Sequence, residues 1–250
     1  MNIPANKQQK WLKVLFWSIP LLLYAAMRVW YFYDPPAMPR DAVFYLHRAE
    51  EFISGGWNSF GDDISLRHRL YIAFISGGKN FFGISPLLWG SGVSLISGLA
   101  TQIFAMLWIR EIFPGQKWLI WSAGILFAVN PVILTATCVP LREAIFIMFS
   151  ALALFTLTRW FNTGKYHWQA IAGAAAALGM TVRLEGIDLV LFSIGFAVFS
   201  LMAKKHTVKQ TLIGAALFFV SFLLFLTPYL FAIKSELIVF MNRLFPGGGM

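Results

Sequence analysis

The stretch Met38 to Phe52, MPRDAVFYLHRAEEF, gathers Arg40, Asp41, His47, Arg48, Glu50 and Glu51 in a chain that is otherwise apolar. On a 3.6-residue period, Asp41, Tyr45, Arg48 and Phe52 fall on one helix face. They lie about 100° round from a stripe of Ala42, Leu46, Ala49 and Ile53. One face would then rest on membrane or protein. The other would present a carboxylate, a phenol and a guanidinium in a row. A carboxylate suits general-base work on a hydroxyl. A guanidinium suits phosphate, through its planar fork of donors. Asp41 has a second reading, as the N-cap whose oxygen accepts from a first-turn N–H. His47, Glu50 and Glu51 read as a solvated face.

Other charges sit at the ends of apolar runs. SLRHRLY carries Arg67, His68 and Arg69; TCVPLREAIF carries Arg142 and Glu143; GMTVRLEGIDLV carries Arg183, Glu185 and Asp188. Each group alone reads as long side chains snorkelling out of a membrane. Jointly, four separate segments bring arginine and carboxylate to one membrane side. The joint reading is an outer cavity with arginine for a lipid phosphate and Asp41 for an acceptor hydroxyl.

The elements that must position these residues are membrane helices. The chain has 250 residues, 58% hydrophobic and 12% charged, with 25 Phe and 10 Trp. A soluble domain carries about twice that charge. Apolar runs long enough to span a bilayer fall near 11–33, 86–109, 118–136, 141–160, 184–203 and 211–233. A weaker one, near 168–183, is rich in Ala and Gly, which let helix backbones approach closely. The expectation is an all-α polytopic bundle of about seven transmembrane helices. The net charge of +9 is scattered between apolar runs rather than gathered on one soluble face, which excludes a nucleic-acid binder. The single Cys138 excludes an internal disulfide. The first apolar run is long, has no small-residue cleavage site and reads as a retained helix.

With the N-terminus inside, the inner segments hold Lys7, Lys10, Lys13, Arg110, Lys117, Arg159, Lys165, Lys204, Lys205 and Lys209, with Glu111 their one acid. The positive-inside rule favours that orientation. It puts the long first loop, 34–85, outside. The loop is too apolar for a disordered linker and fits two short helices on the membrane surface.

The order of these motifs resembles the GT-C membrane glycosyltransferases, in particular the dolichyl- or polyprenyl-phosphate-mannose type. RDAVFYLHRAEEFISGG is similar to that group's first outer loop, and RHRLYIAFISGGKNFFGIS to its R-x-P-L-Y segment, with Tyr71 at the tyrosine. The run from SPLLWGSG to FAVNP resembles its second and third spans. VPLREAIFIMFSALALFTLTRW and LGMTVRLEGIDLVLF resemble its REAL-type and TRPEGL-type segments. Ala42 follows Asp41 where many members have a paired Asp-Glu, and His68-Arg69 stands where the proline falls. The resemblance implies inverting sugar transfer from a lipid-phosphate donor to a hydroxyl acceptor on the outer or lumenal face. Asp41 would be the base. Arg40, Tyr45, Arg48, Arg67, Arg69, Tyr71, Arg142, Glu143, Arg183 and Glu185 would contact substrate.

No cofactor follows from the residues, and a divalent cation, Mg or Mn, stays open. The implied partners are membrane lipid, a lipid-linked sugar donor and a hydroxyl acceptor, with a partner subunit if the chain is naturally short. Residues 1–233 form the expected membrane module and 234–250 a tail, perhaps leading into a further region. The expected location is the bacterial inner membrane, or the endoplasmic reticulum membrane in a eukaryote. Two other classes compete. A transporter would place polar groups near the bilayer midplane, often within repeats; here the charges sit at span ends and no repeat is seen. A non-catalytic scaffold would be indifferent to Asp41.

Overall fold

The computed structural model describes residues 5–33, 37–59 and 66–244, with side chains over 17–33, 37–57, 59 and 68–231. Among the described residues there are ten α-helices and no strand. They are α1 (Ala5–Tyr33), α2 (Arg40–Gly55), α3 (Leu66–Phe82), α4 (Pro86–Ile112), α5 (Lys117–Val129), α6 (Pro131–Cys138), α7 (Arg142–Thr163), α8 (His167–Val182), α9 (Ile187–Met202) and α10 (Val208–Leu244). Short 3-10 turns cover Gly56–Ser59 and Leu184–Gly186.

Local chemistry sets these boundaries. Ser85 caps α4 by accepting from the Leu88 amide at 3.3 Å, and Pro86 takes the first helical position, where no N–H is needed. Asn130 caps α6, its Oδ1 accepting from the amides of Val132 and Ile133 at 3.0 and 3.1 Å. Pro131 again follows the cap. Gly164 ends α7 in the left-handed region, at φ 69°, a conformation that costs glycine little.

Four segments are long and apolar enough to cross a membrane: Pro86–Ile112, Arg142–Thr163, Leu184–Met202 and Val208–Phe231. The run expected as one span at 118–136 is two helices, α5 and α6, bent by 61° at Asn130–Pro131. Proline has no amide proton to continue the ladder, so a break here follows from the sequence. Counting the bent pair as one span gives five, against the seven expected. The weak candidate at 168–183 is the 16-residue α8, about 24 Å long, less than the roughly 30 Å hydrocarbon core. The loop 34–85 contains the two expected short helices, α2 and α3. The backbone of α10 runs on to Leu244, across the expected division at 233–234.

The core has two parts. One joins α2 and α3 to the ends of α1 and α6, through Ala42, Tyr45, Ala49, Ile72, Ile75 and Leu134. The other packs α8 between α7 and α10, through Ala153, Leu157, Ala172, Ala176, Phe218 and Phe222. The Ala/Gly composition of α8 thus lets it sit inside the bundle. At Gly173 an added Cβ would collide with the Phe218 carbonyl oxygen of α10, whereas at Gly195 on α9 it would meet nothing within 4 Å. Gly173→Ala is therefore expected to destabilise by about 1–3 kcal/mol, the cost of an overpacked core. Gly195→Ala should leave stability unchanged or raise it. Thermal unfolding of the two purified variants checks this, and equal melting curves would contradict the packing.

At the end of the bundle where α4 and α7 finish, Glu111 joins them. Arg159 Nη1 lies 2.5 Å from Glu111 Oε1, and Asn162 Nδ2 donates to the Glu111 backbone oxygen at 2.9 Å. The Glu111 side chain is 8% exposed. Glu111, the single acid expected on the inner side, is thus fixed by an arginine and an asparagine of the neighbouring helix.

Candidate active site

The opposite end of the bundle, where α4, α7 and α9 begin, collects the predicted polar residues. Arg142 and Glu143 open α7. Leu141, just before them, is extended, and its amide and carbonyl both engage Ser94 Oγ of α4, at 3.4 and 3.5 Å. Arg183 ends α8 in extended conformation. The chain then turns through Leu184–Gly186 into α9. Gly186 is required in that turn, because a Cβ would run into the Met180 backbone.

Arg183 is the most engaged of these groups. Its Nη1 donates to Glu143 Oε1 at 2.6 Å, its Nη2 to Glu185 Oε1 at 2.7 Å and its Nε to Glu185 Oε2 at 3.3 Å. The Glu185 hydrogen bond foremost pushes its pKa above the ordinary arginine value. Arg142 is differently placed. It makes one long hydrogen bond, Nη1 to the Val182 carbonyl at 3.4 Å, and stands 4.0 Å from Glu143. Its Nε and the Oε2 of Glu143 are buried without a hydrogen-bond partner among the described residues. Arg142 therefore keeps donors for a ligand, while Arg183 is committed to carboxylates.

These side chains border a cavity of about 420 Å³, lined by His68, Arg142, Arg183, Glu185 and Asp188 together with Leu184 and Ile187. A second, apolar cavity of about 530 Å³ is lined by Leu70, Leu178, Thr181, Leu224, Phe225, Pro228 and Tyr229. The two draw on neighbouring residues of the same segments: His68 and Leu70 on α3, Thr181 and Arg183 at the end of α8. A polar chamber beside a greasy one fits an amphiphile with a charged head.

The α2 helix covers this region. Its buried face is Ala42, Tyr45 and Ala49, so the three small or aromatic residues point inward rather than the stripe Ala42, Leu46, Ala49 and Ile53. Tyr45 is 1% exposed and packs edge-on against Tyr71 at 4.9 Å and near His68 at 5.8 Å. Burial pushes its pKa up to about 12, and the charges of Arg142, Glu143, Asp41 and Arg183 all act on it. Tyr71 is raised as well, again chiefly by burial. Both phenols stay protonated at neutral pH and can donate. Asp41 is exposed in the first turn of α2. The N-cap position belongs to Pro39, and no side chain caps the helix. The capping reading of Asp41 thus finds no support, and its carboxylate stands at the positive end of the helix dipole.

Several predicted residues stand apart. Arg48 turns along its own helix to Glu51, at 2.8 Å, so carboxylate, phenol and guanidinium do not form one presented row. Arg40 is exposed at the start of α2. The α3 contribution to the polar cavity is His68 rather than Arg69, which is half-buried. The Arg67 side chain lies outside the described residues. His47 is exposed and 3.4 Å from Glu51, as expected of a solvated face. Sequence reasoning missed Ser94, the clamp on Leu141. Its signal was the buried small-residue stripe Ser91, Ser94, Ser97 and Thr101 on α4. Among the described residues, no three His, Cys, Asp or Glu side chains group closely enough to hold a metal ion.

No curated protein and no solved structure matches the chain significantly. A family model does match, over residues 82–231: dolichyl-phosphate-mannose-protein mannosyltransferase. The match contains Arg142, Glu143, Arg183, Glu185 and Asp188, and it begins after Asp41, Tyr45, His68 and Tyr71.

Proposed function

Because the chain belongs to the dolichyl-phosphate-mannose-protein mannosyltransferase family, we propose that it transfers a sugar from a polyprenyl- or dolichyl-phosphate donor to a hydroxyl acceptor. The donor phosphate sits against Arg142, and the lipid chain runs along the apolar cavity of Leu178, Leu224 and Phe225. The observation that carries this reading is the arginine with unused donors beside an apolar chamber. Arg183 holds Glu143 and Glu185 in place around it.

In the reaction, the acceptor oxygen attacks the anomeric carbon and the bond from that carbon to the phosphate oxygen breaks. Asp41 takes the hydroxyl proton, and the lipid phosphate leaves with the bonding pair. Attack opposite the leaving group inverts the anomeric centre. Arg142 stabilises the negative charge gathering on the leaving phosphate. Tyr45 and Tyr71, both protonated, can donate to acceptor or phosphate oxygens. The described residues offer no ligand set for Mg or Mn, and no step is routed through a cation.

The proposed membrane arrangement has α1 and α8 completing seven spans, a cytoplasmic N-terminus and α2 and α3 on the outer surface. The basic inner segments support it. Single cysteines at Asn58 and Thr207 test it, in a chain whose native Cys138 is buried. A membrane-impermeant maleimide added to intact cells should label the first and spare the second. The reverse pattern would put the cavity on the cytoplasmic side and end the outer-face reading. The activity itself is tested by incubating purified protein with a polyprenyl-phosphate-linked mannose and a hydroxyl acceptor. Product of inverted anomeric configuration is expected. A retained configuration, or binding without turnover, would overturn the mechanism.

A further inference from the structure

Arg28 is 1% exposed, within α1, far from the charged residues at the cavity. A buried guanidinium costs several kcal/mol unless it is compensated. Its partners among the described residues are neutral. Nη1 donates to the Ala128 carbonyl at 2.6 Å, and Nε and Nη2 donate to Thr137 Oγ1 at 3.2 and 3.0 Å. The guanidinium carbon lies 3.6 Å from the Tyr24 ring centroid, and Tyr24 is itself fixed by donating to the Leu95 carbonyl at 2.8 Å.

The identity of these acceptors is informative. Ala128 lies at the end of α5, and Thr137 lies at the end of α6. In an unbroken helix the Ala128 carbonyl would accept from the Val132 amide. That amide instead serves Asn130, and Pro131 has no amide proton to offer. The break therefore leaves a carbonyl at the negative end of the α5 dipole. Arg28 fills that vacancy and reaches over to α6 with its remaining donors.

We propose that Arg28 is a positioning residue that braces the 61° break and thereby sets where α6 delivers Arg142. From Thr137 the chain has only Cys138, Val139, Pro140 and Leu141 before Arg142, and Ser94 holds Leu141 at the far side. The brace and the Ser94 clamp together leave that short link little freedom. This role rests on the proposed reaction only for its effect on rate; the geometry it fixes can be read without turnover.

The test uses the chain's one cysteine, Cys138, which is 1% exposed and adjoins Thr137. Arg28→Gln, Arg28→Lys, Thr137→Val and Thr137→Ser are prepared in the full chain. N-ethylmaleimide labelling of Cys138, the melting temperature and transfer kinetics are followed. Arg28→Gln and Thr137→Val should each speed labelling about tenfold or more. The double variant should label no faster than the faster single one, since both remove one interaction. Thr137→Ser keeps the acceptor and should label as wild type. Arg28→Lys, with one point of contact, should fall between and serves if the Gln variant fails to fold. The turnover number kcat should drop by about 10–100-fold, the scale expected when a reacting group is misplaced by roughly 1 Å, with the donor KM within twofold. Unchanged labelling in folded Arg28→Gln would overturn the brace. Additive single effects would overturn the pairing with Thr137. Faster labelling with normal kcat would make Arg28 a determinant of fold only. If labelling behaves as expected but wild type transfers no sugar, the brace stands and the enzymatic reading falls.

Discussion

Asp41→Asn is expected to lower sugar transfer by about 10²–10⁴-fold, the usual worth of general-base action, with normal expression and membrane insertion. The substitution keeps the shape of the side chain and removes the charge that accepts the proton. Its structural cost is small. Asp41 is exposed and does not cap α2, so only its favourable position at the helix N-terminus is lost, about 0.3–1 kcal/mol. Nearby Tyr45 cannot take over, because its pKa of about 12 keeps it protonated. Single-turnover transfer from a lipid-linked mannose measures the effect at the chemical step. A rate within a few-fold of wild type would remove Asp41 from the mechanism and leave the family assignment, which rests on residues 82–231, untouched.

Arg142→Gln is expected to cut kcat/KM for the lipid-linked donor by about 10–150-fold, the equivalent of the 1.5–3 kcal/mol carried by a hydrogen bond to a charged group. Arg142→Lys should recover only part of this, because an ammonium cannot match a phosphate with two parallel donors. Glu185→Gln provides the contrast. Glu185 is about half exposed, and exposed ion pairs contribute little, so donor affinity should change by less than about fivefold. If Glu185→Gln were as damaging as Arg142→Gln, the phosphate would belong to Arg183 and the division of labour between the two arginines would be reversed. Titrating donor against each variant under single-turnover conditions separates the cases.

The helices themselves were legible because their causes are local. Ser85-Pro86 and Asn130-Pro131 announce two helix starts, and the apolar runs between charged clusters mark the spans. The gathering of Arg142, Glu143, Arg183 and Glu185 at one end was legible too, since all four stand beside span ends of the same parity. Which arginine is committed and which keeps free donors was not. That depends on Glu143 and Glu185 reaching Arg183 across α7 and the α8–α9 turn, a matter of side-chain geometry 40 residues apart for Glu143. The face of α2 was misread for a related reason. Ala42, Leu46, Ala49 and Ile53 are the apolar choice on hydropathy. Packing on Tyr71 and Ile72 selected Ala42, Tyr45 and Ala49 instead, because a tyrosine ring between two alanines fills the gap between helices. The division of one apolar run into α5 and α6 was written in Pro131, but the 61° angle needed the whole environment of the break.

The tie between Glu111 and Arg159 gives the bundle a mechanical property. α7 carries Arg142 at one end and Arg159 at the other, 17 residues apart and so roughly 25 Å along the axis. Anchored at Arg159 and Asn162, the helix works as a lever arm whose pivot is on the far side from the cavity. A tilt of about 5° at the pivot would swing the Arg142 end by about 2 Å over that length, more than a catalytic group tolerates. Loosening the pivot should therefore register as lost aim at the remote tip, and thermal noise at Glu111 is magnified where the phosphate is proposed to sit.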